Sequence, residues 1–160
     1  MKFNKDILKG FIIYPLGDLI AQIIIGEFHL IRLLVLALIG GFLYSYEIGK
    51  WFAFIEKKSK NAYSKTLLAV LFFNPLWITR HFLFIEFSMF PEKLFSLSSI
   101  ELSIETAFFS SLKTFIASII FTIIANYIIQ NIIHLKYRFM SSAIFSALMN
   151  IYYALSKMYF

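Results

Sequence analysis

Cysteine is absent from this chain, and charged residues account for only 15% of its 160 positions. Without cysteine there is no disulfide bond, no thiolate metal ligand and no cysteine nucleophile. A soluble domain usually carries roughly a quarter of its residues as charged side chains. The hydrophobic share here is 60%, more than one water-soluble core of this size could bury, so lipid must solvate much of the surface. We therefore expect a single integral membrane domain over residues 1–160.

The sequence also lacks common catalytic motifs, among them HExxH, GxSxG, GxGxxG and the P-loop. Its histidines stand alone at positions 29, 81 and 134, and no carboxylate-rich metal spacing accompanies them. We therefore expect no enzymatic activity, no metal site and no cofactor.

The net charge of +6 raises the question of a nucleic-acid partner. The basic residues, however, form short clusters between apolar runs, where they meet lipid headgroups. The expected partners are the lipid bilayer, small solutes or ions, and further copies of the chain in a homo-oligomer. Nucleic acid is not expected.

Five apolar stretches approach the length of about 20 residues that a membrane-spanning helix needs. Helices satisfy their backbone polar groups internally in lipid, and the alternating pattern of outer-membrane strands is not visible. The first stretch contains Pro15 and Asp18 and is too long for a cleaved signal peptide, so we expect it to be retained. The sequence predicts an all-α polytopic membrane helix bundle of four to five spanning or near-spanning helices, at residues 7–25, 31–55, 66–89, 106–133 and 139–157.

Basic and less basic connecting segments alternate along the chain. Lysines cluster at the N-terminus and in residues 56–65, and Lys136 and Arg138 follow the fourth predicted span. Residues 88–105 carry more acidic than basic side chains and are apolar enough to form a half-helix at the membrane surface. The positive-inside rule then predicts an N-terminus inside and a C-terminus outside, in a bacterial inner, mitochondrial inner or peroxisomal membrane.

Asp18 is the most unusual polar residue because it lies near the middle of the first predicted span. Gln22 follows one turn later on the same helix face, and Gly17 permits close approach of another helix. An ionisable group at this depth is expected to face the interior of the bundle. Two interpretations stay open: a buried polar clamp that joins helices, or a contact with a pore or a solute.

Further polar residues interrupt the second and third predicted spans. Glu47 lies inside the second, and Asn74-Pro75 inside the third. Pro75 removes one intrahelical hydrogen bond and predicts a kink. Arg80 lies one to two turns beyond that kink, where it either binds an anion or pairs with Glu86 or a neighbouring helix.

The fourth predicted span carries a polar residue at every fourth position. Because four residues advance about 40° beyond a full turn, this row winds around a straight helix. It serves either interhelical hydrogen bonds or a tilted, water-filled path. The row consists of Thr114, Ser118, Thr122, Asn126, Gln130 and His134.

The order of these polar positions resembles that of a known family. Gly17-Asp18-Leu19-Ile20-Ala21-Gln22 is similar to the Gly-Asp…Gln motif that opens the 22-kDa peroxisomal membrane proteins and their mitochondrial inner-membrane (Mpv-type) relatives. Later family positions are an aromatic pair with an acidic residue, a basic residue before Phe-x-Pro, an Arg, a Trp-Asn and a Leu-Ser. The matching residues are Trp51-Phe52 with Glu56, Lys65 before Phe73-Asn74-Pro75, Arg138, Met149-Asn150 and Leu155-Ser156.

The resemblance implies a small helical protein with pore-forming or solute-permeation activity. The rival hypothesis is a membrane scaffold or a small-molecule-binding subunit without transport of its own. The residues that we expect inside the bundle, lining a pore or joining helices, are Asp18, Gln22, Glu47, Asn74, Arg80 and Asn126. Those expected to hold the family's helix packing are Gly17, Trp51, Pro75, Arg138 and Asn150.

Overall fold

The computed structural model describes the backbone of residues 3–159 and the side chains of residues 5–71 and 74–152. Within these limits the chain is helical almost throughout and contains no strand, which confirms the predicted all-α class. The resembling positions Phe73 and Leu155-Ser156 lie outside the described side chains. The helices fall into two compact units, Met1–Ala53 with His134–Phe160 and Phe54–Ile133. The prediction of one domain over the whole chain stays a prediction.

The first unit begins with a helical hairpin. Helix α1, Phe3–Ile25, ends at Gly26, whose φ of 73° lies in the left-handed region that glycine adopts without strain. Helix α2, Leu30–Leu38, runs through a π-helical turn, Ile39–Tyr44, into α3, Ser45–Lys58. The last helix of the unit, α8, spans Leu135–Tyr159.

Small residues allow the helices of the first unit to approach closely. A Cβ atom added to Gly40 would lie only 2.5 Å from the ring of Tyr14 on α1. A Cβ atom on Gly17 would lie 2.5 Å from the Cβ atom of Ala147 on α8. Tyr14 is fully buried and meets the ring of Tyr44 edge to face, with centroids 4.9 Å apart. The core of this unit therefore lies along α1.

The second unit is built from α4 to α7. Helix α4, Ala62–Leu67, continues through a π-helical turn, Leu68–Phe73, into α5, Asn74–Met89. A short 3-10 turn, Pro91–Phe95, leads to α6, Leu97–Ala117. Helix α7, Ile119–Tyr127, ends in a third π-helical turn, Ile128–Ile132. Helix α5 packs against α6, and α7 packs against α4.

The prediction of one continuous helix in the fourth span was wrong. The expected single helix over 106–133 is broken at Ser118, where α6 and α7 meet at a 73° bend. Residues 88–105 contain a 3-10 turn and the first turns of α6, and their location at the membrane surface stays a prediction. Ser118 has φ −104° and ψ 8°, and its hydroxyl donates to the Thr114 carbonyl at 2.8 Å. The same carbonyl also accepts the backbone N–H of Ser118 at 3.1 Å, so backbone and side chain of Ser118 both bond to the last turn of α6 at the break.

Three helices in the described part of the chain are long and apolar enough to cross a membrane: Lys5–Ile25, Leu30–Lys58 and Ala62–Met89. The bent pair Leu97–Ala117 and Ile119–Ile132 makes a fourth if it is one broken span. The predicted fifth span, 139–157, falls within α8, and the side chains of its last positions, 153–157, lie outside the described residues.

Candidate functional site

The polar cluster around Asp18 is the most completely bonded site of the first unit. The Asp18 side chain is 0% exposed. Its Oδ2 accepts a hydrogen bond from Gln22 Nε2 at 2.6 Å, as the sequence spacing predicted. Its Oδ1 accepts a charged hydrogen bond from Arg32 Nη2. Both carboxylate oxygens are therefore bonded inside the hairpin of α1 and α2.

The hairpin turn creates this geometry. Gly26 ends α1, and the chain returns after three residues so that Arg32, in the first turn of α2, faces the last turns of α1. The backbone N–H of His29 donates to Gln22 Oε1 at 2.6 Å, and the N–H of Glu27 donates to the Gln22 carbonyl at 3.0 Å. Gln22 thus links the carboxylate to the turn itself, and the turn fixes the position of Arg32.

Arg32 is the functional residue that sequence reasoning missed. The sequence patterns assign it no role, although its side chain is only 13% exposed and pairs with Asp18. Arg32 lies two to three residues into a predicted span, soon after the turn at Gly26. A charged residue in that position is the sequence signal that could have indicated a buried ion pair. Removing one partner of such a buried pair leaves an uncompensated charge, which costs several kcal/mol.

In the second unit, polar side chains fasten α5 to α6. Thr79 and Ser111 share a hydrogen bond of 2.5 Å between the two helices. Nearer the end of α5, Glu86 accepts hydrogen bonds from Lys93 at 2.7 Å and from Ser103 at 2.9 Å. These contacts close the α5–α6 hairpin by polar bonds on its inner face.

The backbone before Pro75 is irregular, and the predicted kink of the helix axis at this proline stays a prediction. The N–H of Asn74 donates to the Ala69 carbonyl, five residues back, which is the bonding of a π turn. A helix can absorb the missing N–H of proline in this way, since the π turn shifts the bonding register just before the ring. One turn later, the rings of Trp77 and His81 stack at 5.0 Å and 8°, and His81 is buried.

The polar row of the predicted fourth span stays internal in spite of the bend. Its four middle members are buried: Ser118, Thr122, Asn126 and Gln130. Asn126 Nδ2 donates to the Thr122 carbonyl at 2.9 Å. Asn131, next to the row, donates to Thr66 Oγ1 of α4 at 3.1 Å. The row therefore faces the protein, and α7 is held to α4 by a side chain beside it.

Gln130 differs from every other member of this row. Its side chain is 0% exposed, yet neither Oε1 nor Nε2 has a hydrogen-bond partner among the described residues. Leaving a buried polar group without a partner costs about 1–3 kcal/mol. Such a group in a native structure calls for a specific explanation.

The other predicted site residues lie in varied surroundings. Glu47, Asn74, Arg80, Trp51 and Asn150 are half-buried, whereas Arg138 is buried. The structure brings Asp18 and Gln22 together, and it places Asn126 in the polar row of α7. Among the described residues there is no group of three or more His, Asp or Glu side chains with metal-binding proximity.

Comparison with known proteins gives no match to a family model, to a curated protein or to a solved structure.

Proposed function

We propose that this chain is a multi-span membrane protein that lets small solutes cross the bilayer. The observation that carries the proposal is the buried polar row of Thr122 and Asn126 on α7 and Gln130 in the π turn that follows, inside one of the most apolar segments of the chain. Polar groups at membrane depth are expensive and often mark a solute path when they face the interior. A broken helix that presents such groups is a recurrent element of solute sites in transporters.

The resemblance to the 22-kDa peroxisomal and mitochondrial membrane proteins supports the same proposal. Gly17 meets Ala147 of α8, while Asp18 and Gln22 bond within the α1–α2 hairpin. The Gly-Asp…Gln motif would then position the first hairpin, and the solute path would run elsewhere. On this view Asp18 and Gln22 are structural residues, and Asn126 and Gln130 contact the solute.

A scaffold without transport is the second candidate, and the two bonded oxygens of Asp18 favour it. Each polar atom that a scaffold buries should find a partner in the protein, as both oxygens of Asp18 do. The two candidates differ in what they require of the row on α7. A scaffold needs it only to join helices, whereas a permeation protein needs it to meet a solute.

Reconstitution into liposomes separates the two candidates. Vesicles with the purified protein, loaded with glycerol, potassium chloride or sodium lactate in parallel, should release at least one solute faster than protein-free vesicles. Protein-containing vesicles with full helical circular dichroism and no faster release of any solute would support the scaffold and contradict permeation.

A further inference from the structure

The side chain of Gln130 is a hydrogen-bonding group whose partner is not supplied by the described residues. Both amide atoms are buried and unbonded, although Asn126 and Asn131 nearby each bond to the protein. The amide offers one acceptor, Oε1, and two donors on Nε2. A partner that satisfies it must therefore both donate and accept hydrogen bonds.

The segment that carries Gln130 supplies no counter-charge for an ion. No Asp, Glu, Lys or Arg occurs between positions 114 and 133. Lys65 of α4, the helix that packs against this segment, is already paired with Glu56 at 2.7 Å. An ion at such a place would be desolvated without a counter-charge, which is far more costly than burying a neutral polar molecule. The partner is therefore neutral.

The backbone around Gln130 is also unusual. Gln130 lies within the π-helical turn Ile128–Ile132, and single π turns in helices are frequent at functional sites. Helix α7 and this turn pack against α4, where Asn131 bonds to Thr66 and to the carbonyl of Ala62. The neighbouring residue thus anchors the turn, and Gln130 is left to bind something else.

We propose that Gln130, together with the polar row that ends at it, binds a small uncharged solute with hydroxyl groups, of the size of glycerol. Each hydroxyl group can donate and accept a hydrogen bond, as the amide requires. The inference rests on the proposed permeation function and names the class of solute that passes.

Replacement of Gln130 by leucine tests this binding role against a structural one. Gln130→Leu keeps the size of the side chain and removes two unbonded polar atoms, so thermal stability should stay equal or rise. The release of glycerol from vesicles should fall about tenfold, because a desolvated hydroxyl group loses its partner in the path. The matched control is Gln22→Leu, the same replacement at a structural glutamine, which breaks the bond to Asp18: it should lower stability and leave glycerol release per folded protein unchanged.

Four outcomes would overturn the assignment. Gln130→Leu could release glycerol as fast as the original protein, or it could lose stability as Gln22→Leu does. Vesicles could also pass potassium chloride or lactate and exclude glycerol, in which case permeation stands and the solute class is wrong. If no solute passes at all, the permeation proposal itself fails, and the inference that rests on it falls as well.

A cysteine at this position gives a readout that does not depend on flux. Because the chain contains no cysteine, Gln130→Cys introduces the single thiol of the protein. The small neutral reagent methyl methanethiolsulfonate should modify it, glycerol should slow the reaction, and a negatively charged sulfonate reagent should react far more slowly. A folded Gln130→Cys protein that resists the neutral reagent would contradict a solute site here.

Discussion

The carboxylate of Asp18 is fully buried. One of its oxygens accepts a hydrogen bond from Gln22, and the other accepts one from Arg32. Both donors are needed, because an ionised carboxylate in an apolar interior is stable only when it is paired and fully hydrogen-bonded. Arg32 supplies the charge, and Gln22 supplies a short neutral bond and a link to the turn. The side chains of Asp18, Gln22 and Arg32 thus hold α1 and α2 together in the hairpin.

Replacing Arg32 by methionine should destabilise the protein by about 3 kcal/mol, because the buried charge of Asp18 loses its counter-charge. In an Asp18→Asn background the same replacement should cost less, with a coupling energy of about 1–3 kcal/mol between the two positions. Unfolding in mixed detergent micelles measures both values. Equal losses in the two backgrounds would show that Arg32 and Asp18 do not act as a pair.

The ion pair of Asp6 and Lys9 is a matched control for this cycle. Its atoms are 2.8 Å apart, but the two side chains are 31% and 29% exposed. Exposed pairs are worth roughly 0–1 kcal/mol, so Asp6→Asn should change stability little.

Part of this cluster could be predicted from the sequence, and part could not. Gln22 follows Asp18 by four residues, so helix periodicity alone places both on one face. Arg32 comes from the next helix, and its contact depends on the turn at Gly26, whose geometry sequence patterns do not specify. The unbonded state of Gln130 could not be predicted either, because hydropathy and spacing do not show which polar atoms find partners.

For the helices, hydropathy predicted which segments are helical better than it predicted where those helices bend or change their hydrogen bonding. The first three predicted spans correspond to long apolar helices, because a run of apolar residues leaves the backbone no other way to satisfy its polar groups in lipid. The break at Ser118 was not predicted, since serine is a weak helix breaker and its neighbours are apolar. The π turns were not predicted either, because hydropathy and helix propensity do not specify the register of backbone hydrogen bonds within a helix.

The π turn Leu68–Phe73 can be tested through the proline that follows it. Pro75→Ala restores an N–H that can donate to the Leu71 carbonyl, so the turn should convert to regular α-helix. The greater rise per residue should lengthen the helix from Ala62 to Met89. Spin labels at the exposed positions Tyr63 and Phe90 should move apart. An unchanged distance in the folded variant would show that packing, and not Pro75, maintains the π turn.

For the whole molecule, the exposed surface of the described residues is dominated by large apolar side chains. Examples at well-separated places are Ile23, Leu76 and Ile120, each more than half exposed. Such a surface is too apolar for water and suits lipid acyl chains. Polar side chains are buried and large apolar side chains are exposed, which is the reverse of the arrangement in a soluble protein. The hydropathy of the sequence alone predicts this apolar surface. Topology depends on one further question, which is whether the bent pair of α6 and α7 crosses the bilayer or returns to the side from which it entered.

Cysteine labelling answers that question, because the chain has no cysteine of its own. Lys60, Ser98 and His134 are exposed and lie at the ends of α3, α6 and α7. The lysines near position 60 and the basic pair Lys136 and Arg138 favour the same inner side under the positive-inside rule. We therefore expect Lys60→Cys and His134→Cys to react with an impermeant maleimide from the inside only, and Ser98→Cys from the outside only. Reaction of His134→Cys and Ser98→Cys from the same side would mean that the bent pair is re-entrant, because a segment that crosses the membrane once must leave its two ends on opposite faces.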